Sequence, residues 1–263
     1  MIPIAPPRPI RIPYESFMGQ AGLLVTALLL MGAAPAPRIF IAGDSTAQDY
    51  KADKAPQSGW GTALRCWTAQ PVENRAIGGR STRSFIEQGR FDRIASDIGP
   101  GDTLLIQFGH NDADTKKMAE RFTPIPDYIT NLRRFIEMAR EHGASPVVIT
   151  PVTRRSFKDG HVPRSFPLYE DAAKQVAEQT KTPLIDLAAL SRRWVKRAGD
   201  AGSRRFYLHA TPADNWPGFP KGVDDDVHFS KTGADGVAAL IAGGLRRTGL
   251  PVAKTLRRTP SCG

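Results

Sequence analysis

Cysteine is nearly absent from this sequence: Cys66 and Cys262 are the only two in 263 residues. A pair so far apart excludes a disulfide framework and offers no structural zinc spacing. One disulfide in an oxidising compartment stays open, although Cys262 follows Pro260 in a short terminal stretch that is expected to fray. Long apolar runs are missing too. The most apolar stretch, AGLLVTALLLMG at residues 21–32, has 12 residues, whereas a membrane-spanning helix needs about 20. No repeat, heptad pattern or extended low-complexity tract is present, which excludes solenoids and coiled coils. What is left is the ordinary apolar and charged content of a folded domain with room for a full core.

The chain carries 36 Lys and Arg against 26 Asp and Glu, a net charge of +10. A basic excess favours polyanionic partners without choosing among them. Its arginine pairs, such as Arg133-Arg134, Arg154-Arg155 and Arg246-Arg247, are scattered and form no stripe; no nucleic-acid interface is expected. The apolar stretch at 21–32 is followed by GAAPAP. An apolar core closed by small residues resembles a secretory signal. Residues 1–37 are therefore expected to be a signal peptide or leader, with cleavage near Ala34 or Ala36 and Met18 as an alternative start. Glu15 departs from that pattern, and a buried N-terminal helix is the competing reading. Export, secreted or periplasmic, is the expectation, with no stable membrane insertion.

From residue 38 apolar runs of strand length alternate with amphipathic helical stretches. The runs at 38–42, 72–76, 103–108, 146–150 and 183–187 are short and mostly continuous, as strands covered on both faces should be. Helical spacing is clearest after Thr123-Pro124, where Tyr128, Ile129, Leu132, Phe135, Ile136 and Ala139 recur at i, i+3 and i+4 until Gly143. Residues 84–98, 168–179 and 231–247 behave similarly. Alternating strand and helix predicts an α/β domain over 38–250, a mostly parallel five-stranded sheet between two helical layers. A basic C-terminal tail is expected over 251–263.

In such sheets ligands bind beyond the carboxyl ends of the strands. After the first run comes Gly43-Asp44-Ser45; after the second, Gly78-Gly79-Arg80-Ser81; after the third, Gly109-His110-Asn111-Asp112. After the fifth, following a long connection, comes Asp225-x-x-His228. Turn and cap chemistry accounts for any one of these alone but not for the set. A serine hydroxyl needs an adjacent base. His228 suits that task, and Asp225, placed on a turn, can orient its ring. Ser230 can cap the following helix by itself, so the acid–His pair is not needed there. Ester attack also needs preorganised donors for the developing oxyanion; the N–H groups of Ser45 and Gly79 and the Asn111 amide can supply them.

These blocks, with GDSTAQ, GWG at 59–61, NRAIGGRSTRSF, FGHND, TPVTRRSF and DDVHFS, resemble the SGNH (GDSL-type) hydrolases and, more narrowly, the rhamnogalacturonan acetylesterase family. The likeness runs from about residue 38 to 248. Thr46 replaces the leucine frequent in the broader group and agrees with the narrower one. The resemblance implies a flavodoxin-like α/β/α fold and metal-free, cofactor-free ester hydrolysis through an acyl-serine. It implies Ser45 as nucleophile, His228 as base and Asp225 as orienter, with Ser45, Gly79 and Asn111 as oxyanion donors. It also implies an acetylated, acidic pectic polysaccharide as substrate. Other acetylated sugars such as xylan, and small esters, are the alternatives. Arg80 and Arg154 are expected to meet uronate carboxylates, and Trp60 and Trp216 to stack on sugars. A monomer is expected.

Three rival readings differ in class. A chymotrypsin-like protease is all-β with its serine late, and here the serine comes first. A metal phosphoesterase would use His110, Asp112, Asp225 and His228, a sparse ligand set. A non-catalytic polyanion binder would explain the charge and leave the serine, amide and Asp-x-x-His arrangement unexplained.

Overall fold

The computed structural model describes residues 36–115 and 119–262. The expected leader lies outside the described residues, apart from Ala36 and Pro37. At the centre are five strands: β1 (Ile39–Gly43), β2 (Val72–Asn74), β3 (Thr103–Gln107), β4 (Ser145–Ile149) and β5 (Leu184–Ile185). All run parallel, in the order β2-β1-β3-β4-β5. They coincide with the five expected runs, with 72–76 trimmed to three residues and 183–187 to two.

Successive side chains leave opposite faces of a strand, so the sheet feeds two cores. Ile39, Ile41, Leu105, Val147 and Ile149 enter one apolar cluster, and Phe40, Ala42, Leu104, Ile106 and Val148 the other. The helices are α1 (Trp60–Leu64), α2 (Thr82–Glu87), α3 (Arg90–Asp97), α4 (Ile125–Glu141), α5 (Pro167–Gln179), α6 (Leu187–Ser203) and α7 (Lys231–Leu245). α1, α6 and α7 close the first core, and α2 to α5 the second. This is the expected three-layer arrangement. Burial of this kind, at about 25 cal/mol per Å² of apolar surface, is the main favourable contribution to folding.

The helical stretch expected over 84–98 is two helices, because Gly89 adopts a left-handed φ of 66° between them. α6 was not among the expected helices, although Leu187, Leu190, Trp194, Val195 and Ala198 line one face of it against the first core. Ser230 caps α7, its hydroxyl accepting from the Gly233 N–H.

Two features depart from expectation. An antiparallel ribbon of β6 (Tyr207–Ala210) and β7 (Val223–Phe229) lies outside the main sheet, where a long connection and a turn were expected. Its ladder passes from Tyr207↔Phe229 directly to Leu208↔Asp225, leaving Asp226, Val227 and His228 as a bulge. The end of the chain is also tied down. A 3₁₀ turn at Pro251–Thr255 leads to a bridge between Thr68 and Leu256. Backbone N–H groups of Arg257 and Ser261 then donate to the Trp67 and Cys66 carbonyls. Those bonds carry Cys262 to Cys66, and the two form a disulfide. Among the described residues no helix is long and apolar enough to cross a membrane.

Candidate active site

β1 ends at Gly43, and the turn that follows is held from beneath by Asp44. This fully buried carboxylate accepts from the Thr46 N–H at 2.9 Å and the Thr46 hydroxyl at 2.8 Å. Burial pushes its pKa up to about 6, against the pull of those two bonds. Ser45 is left at the surface of the turn, and the Tyr50 hydroxyl donates to its carbonyl at 2.8 Å.

The Ser45 hydroxyl faces His228, with Oγ 3.0 Å from Nε2. The other ring nitrogen, Nδ1, is 2.7 Å from Asp225 Oδ2. A carboxylate only accepts, so Nδ1 carries the hydrogen and Nε2 is free to accept from serine. The other oxygen, Asp225 Oδ1, accepts from the backbone N–H groups of Val227 at 2.7 Å and His228 at 3.0 Å. The β7 bulge therefore closes on its own acid, and this turns the imidazole toward β1. Partial burial works to raise the Asp225 pKa; the His228 ring and the two N–H donors outweigh it and hold it at about 2.

Across the serine lie three N–H donors. Among the described residues, the backbone N–H groups of Ser45 and Gly79 donate to no protein acceptor. Gly79 has a φ of +75°, a left-handed conformation, and an added Cβ would lie 3.0 Å from Arg121 Nη2. Asn111 gives one amide hydrogen to the Arg80 carbonyl at 3.0 Å and keeps the other. These groups open on a cavity of 410 Å³ that is also lined by His228, Tyr50, Arg121 and Arg154.

Asp112 and His110 hold the loops in place. Asp112 Oδ1 accepts from the Thr82 N–H at 2.8 Å and the Thr82 hydroxyl at 2.6 Å, tying the loop after β3 to the start of α2. Asn111 and Gly79 are drawn together by that tie. His110 donates from Nε2 to the Val152 carbonyl at 2.9 Å. Burial, then the Arg154 charge, drives its pKa down to about 3. The four residues weighed as metal ligands are thus engaged elsewhere or with one another. Among the described residues no three His, Cys, Asp or Glu side chains are arranged to hold a metal ion.

Of the residues expected to bind sugar, Arg154 lines the cavity, its guanidinium over the Phe166 ring. Trp60 does not. It is 0% exposed and its indole N–H donates to Gln107 Oε1 at 2.9 Å, so it is part of the core. Arg80 turns back to the Gly78 carbonyl and Gln88, and Trp216 rests against Phe219; neither lines the cavity. Sequence reasoning missed Gln48, Tyr50, Asp114 and Arg121. Only Gln48 had a signal, its place in GDSTAQ; its side chain accepts from the Gly78 N–H.

The chain resembles known proteins over most of its length. The profile of the GDSL-like lipase/acylhydrolase family matches residues 41–235. The rhamnogalacturonan acetylesterase RhgT of Bacillus subtilis is 39% identical over 218 residues, covering 82% of this chain and 92% of that protein. The probable rhamnogalacturonan acetylesterase YesY of the same organism is 38% identical over 224 residues, 84% of this chain and 98% of that one. The crystal structure of YxiM, also from Bacillus subtilis, superposes with a TM-score of 0.70 at 28% identity. That match covers 82% of this chain and spans 58% of the YxiM chain.

Proposed function

We propose, for a chain that belongs to the GDSL-like lipase/acylhydrolase family and is an esterase, that it removes O-acetyl groups from carbohydrate. The substrate we infer is an acetylated pectic polysaccharide of the rhamnogalacturonan type, cleaved through an acyl-serine on Ser45. The observation that carries this reading is the 3.0 Å contact of Ser45 Oγ with His228 Nε2, in a cavity where, among the described residues, the Ser45 and Gly79 N–H groups and one Asn111 amide hydrogen have no protein acceptor. As Oγ attacks the ester carbonyl carbon, its proton passes to Nε2. The imidazolium so formed is stabilised by Asp225, and the new oxyanion by Ser45 N–H, Gly79 N–H and Asn111. Collapse expels the sugar alcohol, which takes the proton from Nε2. A water then gives a proton to His228 Nε2 as it attacks the acetyl-serine; the bond from carbonyl carbon to Ser45 Oγ breaks, Oγ takes that proton back from Nε2, and acetic acid departs and ionises to acetate.

The acidic character of the substrate is supported by the cavity's charge. Arg121 and Arg154 both line it, and among the described residues neither has an ion-pair partner within 4.0 Å. One carboxylate, Asp114, shares the cavity and attracts Arg154. Two guanidinium groups beside a single acid suit a uronate carboxylate. Acetate release from acetylated rhamnogalacturonan should exceed that from acetylated xylan. Arg154→Ala should lower kcat/KM on the pectic polymer roughly tenfold more than on a neutral chromogenic acetate. Equal losses on both would remove the uronate assignment while leaving the esterase intact. We also propose that the protein is exported, which the Cys66–Cys262 disulfide supports.

A further inference from the structure

Asp225 is flanked on β7 by two more carboxylates, and both meet one histidine of β6. His209 Nδ1 lies 2.5 Å from Asp224 Oδ1, and Nε2 lies 2.9 Å from Asp226 Oδ1. The ring is enclosed, its side chain 4% exposed. Ionised carboxylates only accept hydrogen bonds, and a neutral imidazole has one N–H to give. The three groups can close both contacts only by holding one proton more than a neutral ring and two carboxylates contain.

The surrounding charges agree with that extra proton. Arg155 contacts Asp226 at 2.8 Å and also reaches Asp200 at the end of α6, and Arg204 contacts Asp224 at 3.3 Å. Three carboxylates and two guanidinium groups leave one negative charge, which an imidazolium balances. The place of the cluster matters as much as its charge. His209 pairs with Asp224 in the ladder, while Asp226 is the first residue of the bulge that turns His228 toward Ser45. The Arg155 N–H donates to the Asp226 carbonyl at 2.9 Å, fixing the same residue from the far side. Asp225 stands between the two strapped acids.

We infer that His209 is a positioning residue: a doubly protonated strap that joins the regular part of β7 to its bulge and so sets the direction in which Asp225 and His228 point. The kinetic consequence rests on the esterase reading given above; the proton count does not.

Two measurements on the full chain test this. In protein labelled with ¹⁵N-histidine, with His209→Gln used for assignment, the His209 ring should show hydrogen on both nitrogens at pH 7. A ring with a single N–H overturns the strap, whatever the catalytic result. On a chromogenic acetate, His209→Gln should lower kcat about tenfold, less than the ~10²-fold that a 1 Å misplacement can cost. KM should stay within twofold. A loss confined to KM, or an unchanged kcat, overturns the positioning role. Should His209→Gln fail to fold, Asp224→Asn replaces it at an exposed side chain. An amide can accept from or donate to Nδ1, so a ring with a single N–H closes both contacts and kcat should stay within twofold of wild type; a tenfold loss counts against the strap. Wild-type protein with no turnover would sink the esterase reading alone, and the NMR result would still decide the proton count.

Discussion

Asn111 has two amide hydrogens and a different use for each. One is held by the Arg80 carbonyl, which fixes the side chain, and under the proposed mechanism the other meets the oxyanion. Asn111→Ala should therefore lower kcat by roughly 10²–10³ with a smaller change in KM. An effect on KM alone would assign the amide to binding. Asp44 sits directly under the nucleophile, and its effect is on stability. Its ordinary pKa is 3.8 and its folded one about 6, because burial disfavours the charge. The folded protein thus holds a proton that the unfolded chain has lost. Stability from that proton is complete below pH 3.8 and is gone once pH has risen through about 6. About two pKa units correspond to roughly 3 kcal/mol as an upper bound. Asp44→Asn keeps an acceptor for Thr46 and carries no charge, so relative to wild type it should be more stabilising at pH 8 than at pH 5. Urea midpoints at the two pH values check this; an equal difference at both would mean that Asp44 titrates normally when folded.

Ser45, Gly79 and Asn111 sit on loops, and each loop is aimed by the element before it. Gly109 shows how tightly: its φ is +139°, and an added Cβ would lie 2.3 Å from Pro151 Cγ. The loop after β3 is pressed against the loop after β4, and Asn111 takes its position from that contact. Gly109→Ala should cost about 2 kcal/mol or more through strain and overpacking, and should lower kcat as Asn111 shifts. A wild-type melting temperature in this variant would show that the two loops separate freely. Elements of this kind were legible to different degrees. Parallel strands covered on both faces read as unbroken apolar runs, so β1 to β5 could be found from sequence. β7 could not: VDDDVHF has apolar residues at its ends and only one inside, Val227 between Asp226 and His228, and its contacts with β6 include ion pairs that periodicity does not register. Trp60 was misread for a related reason. A tryptophan beside a nucleophile looks the same in sequence whether its N–H meets a sugar or, as here, Gln107. Arg121 lies in a stretch without helical or strand period, and only folding brings it to Gly79.

At the scale of the molecule, the order of strand and helix was enough to place Ser45, Gly79 and Asn111 at one edge of one sheet, because topology requires it. How the chain ends was not legible, since the last residues carry neither a period nor a long apolar run. They are held by backbone bonds to 66–67 and by the Cys66–Cys262 disulfide, which joins residues 196 apart. A cross-link over so long a loop limits the unfolded chain more than it shapes the native one, and typically contributes about 2–4 kcal/mol. Neither cysteine lines the catalytic cavity. Cys262→Ser should then unfold at a lower urea concentration than wild type, by about that amount, and retain kcat/KM within twofold under native conditions. A reductant should bring wild type down to the variant's midpoint and leave the variant where it is. If the reductant shifted both proteins equally, the stabilisation would lie outside the disulfide. If kcat/KM fell with the midpoint, the end of the chain would be coupled to the Ser45 edge of the sheet, through α1 and α7, which pack together between them.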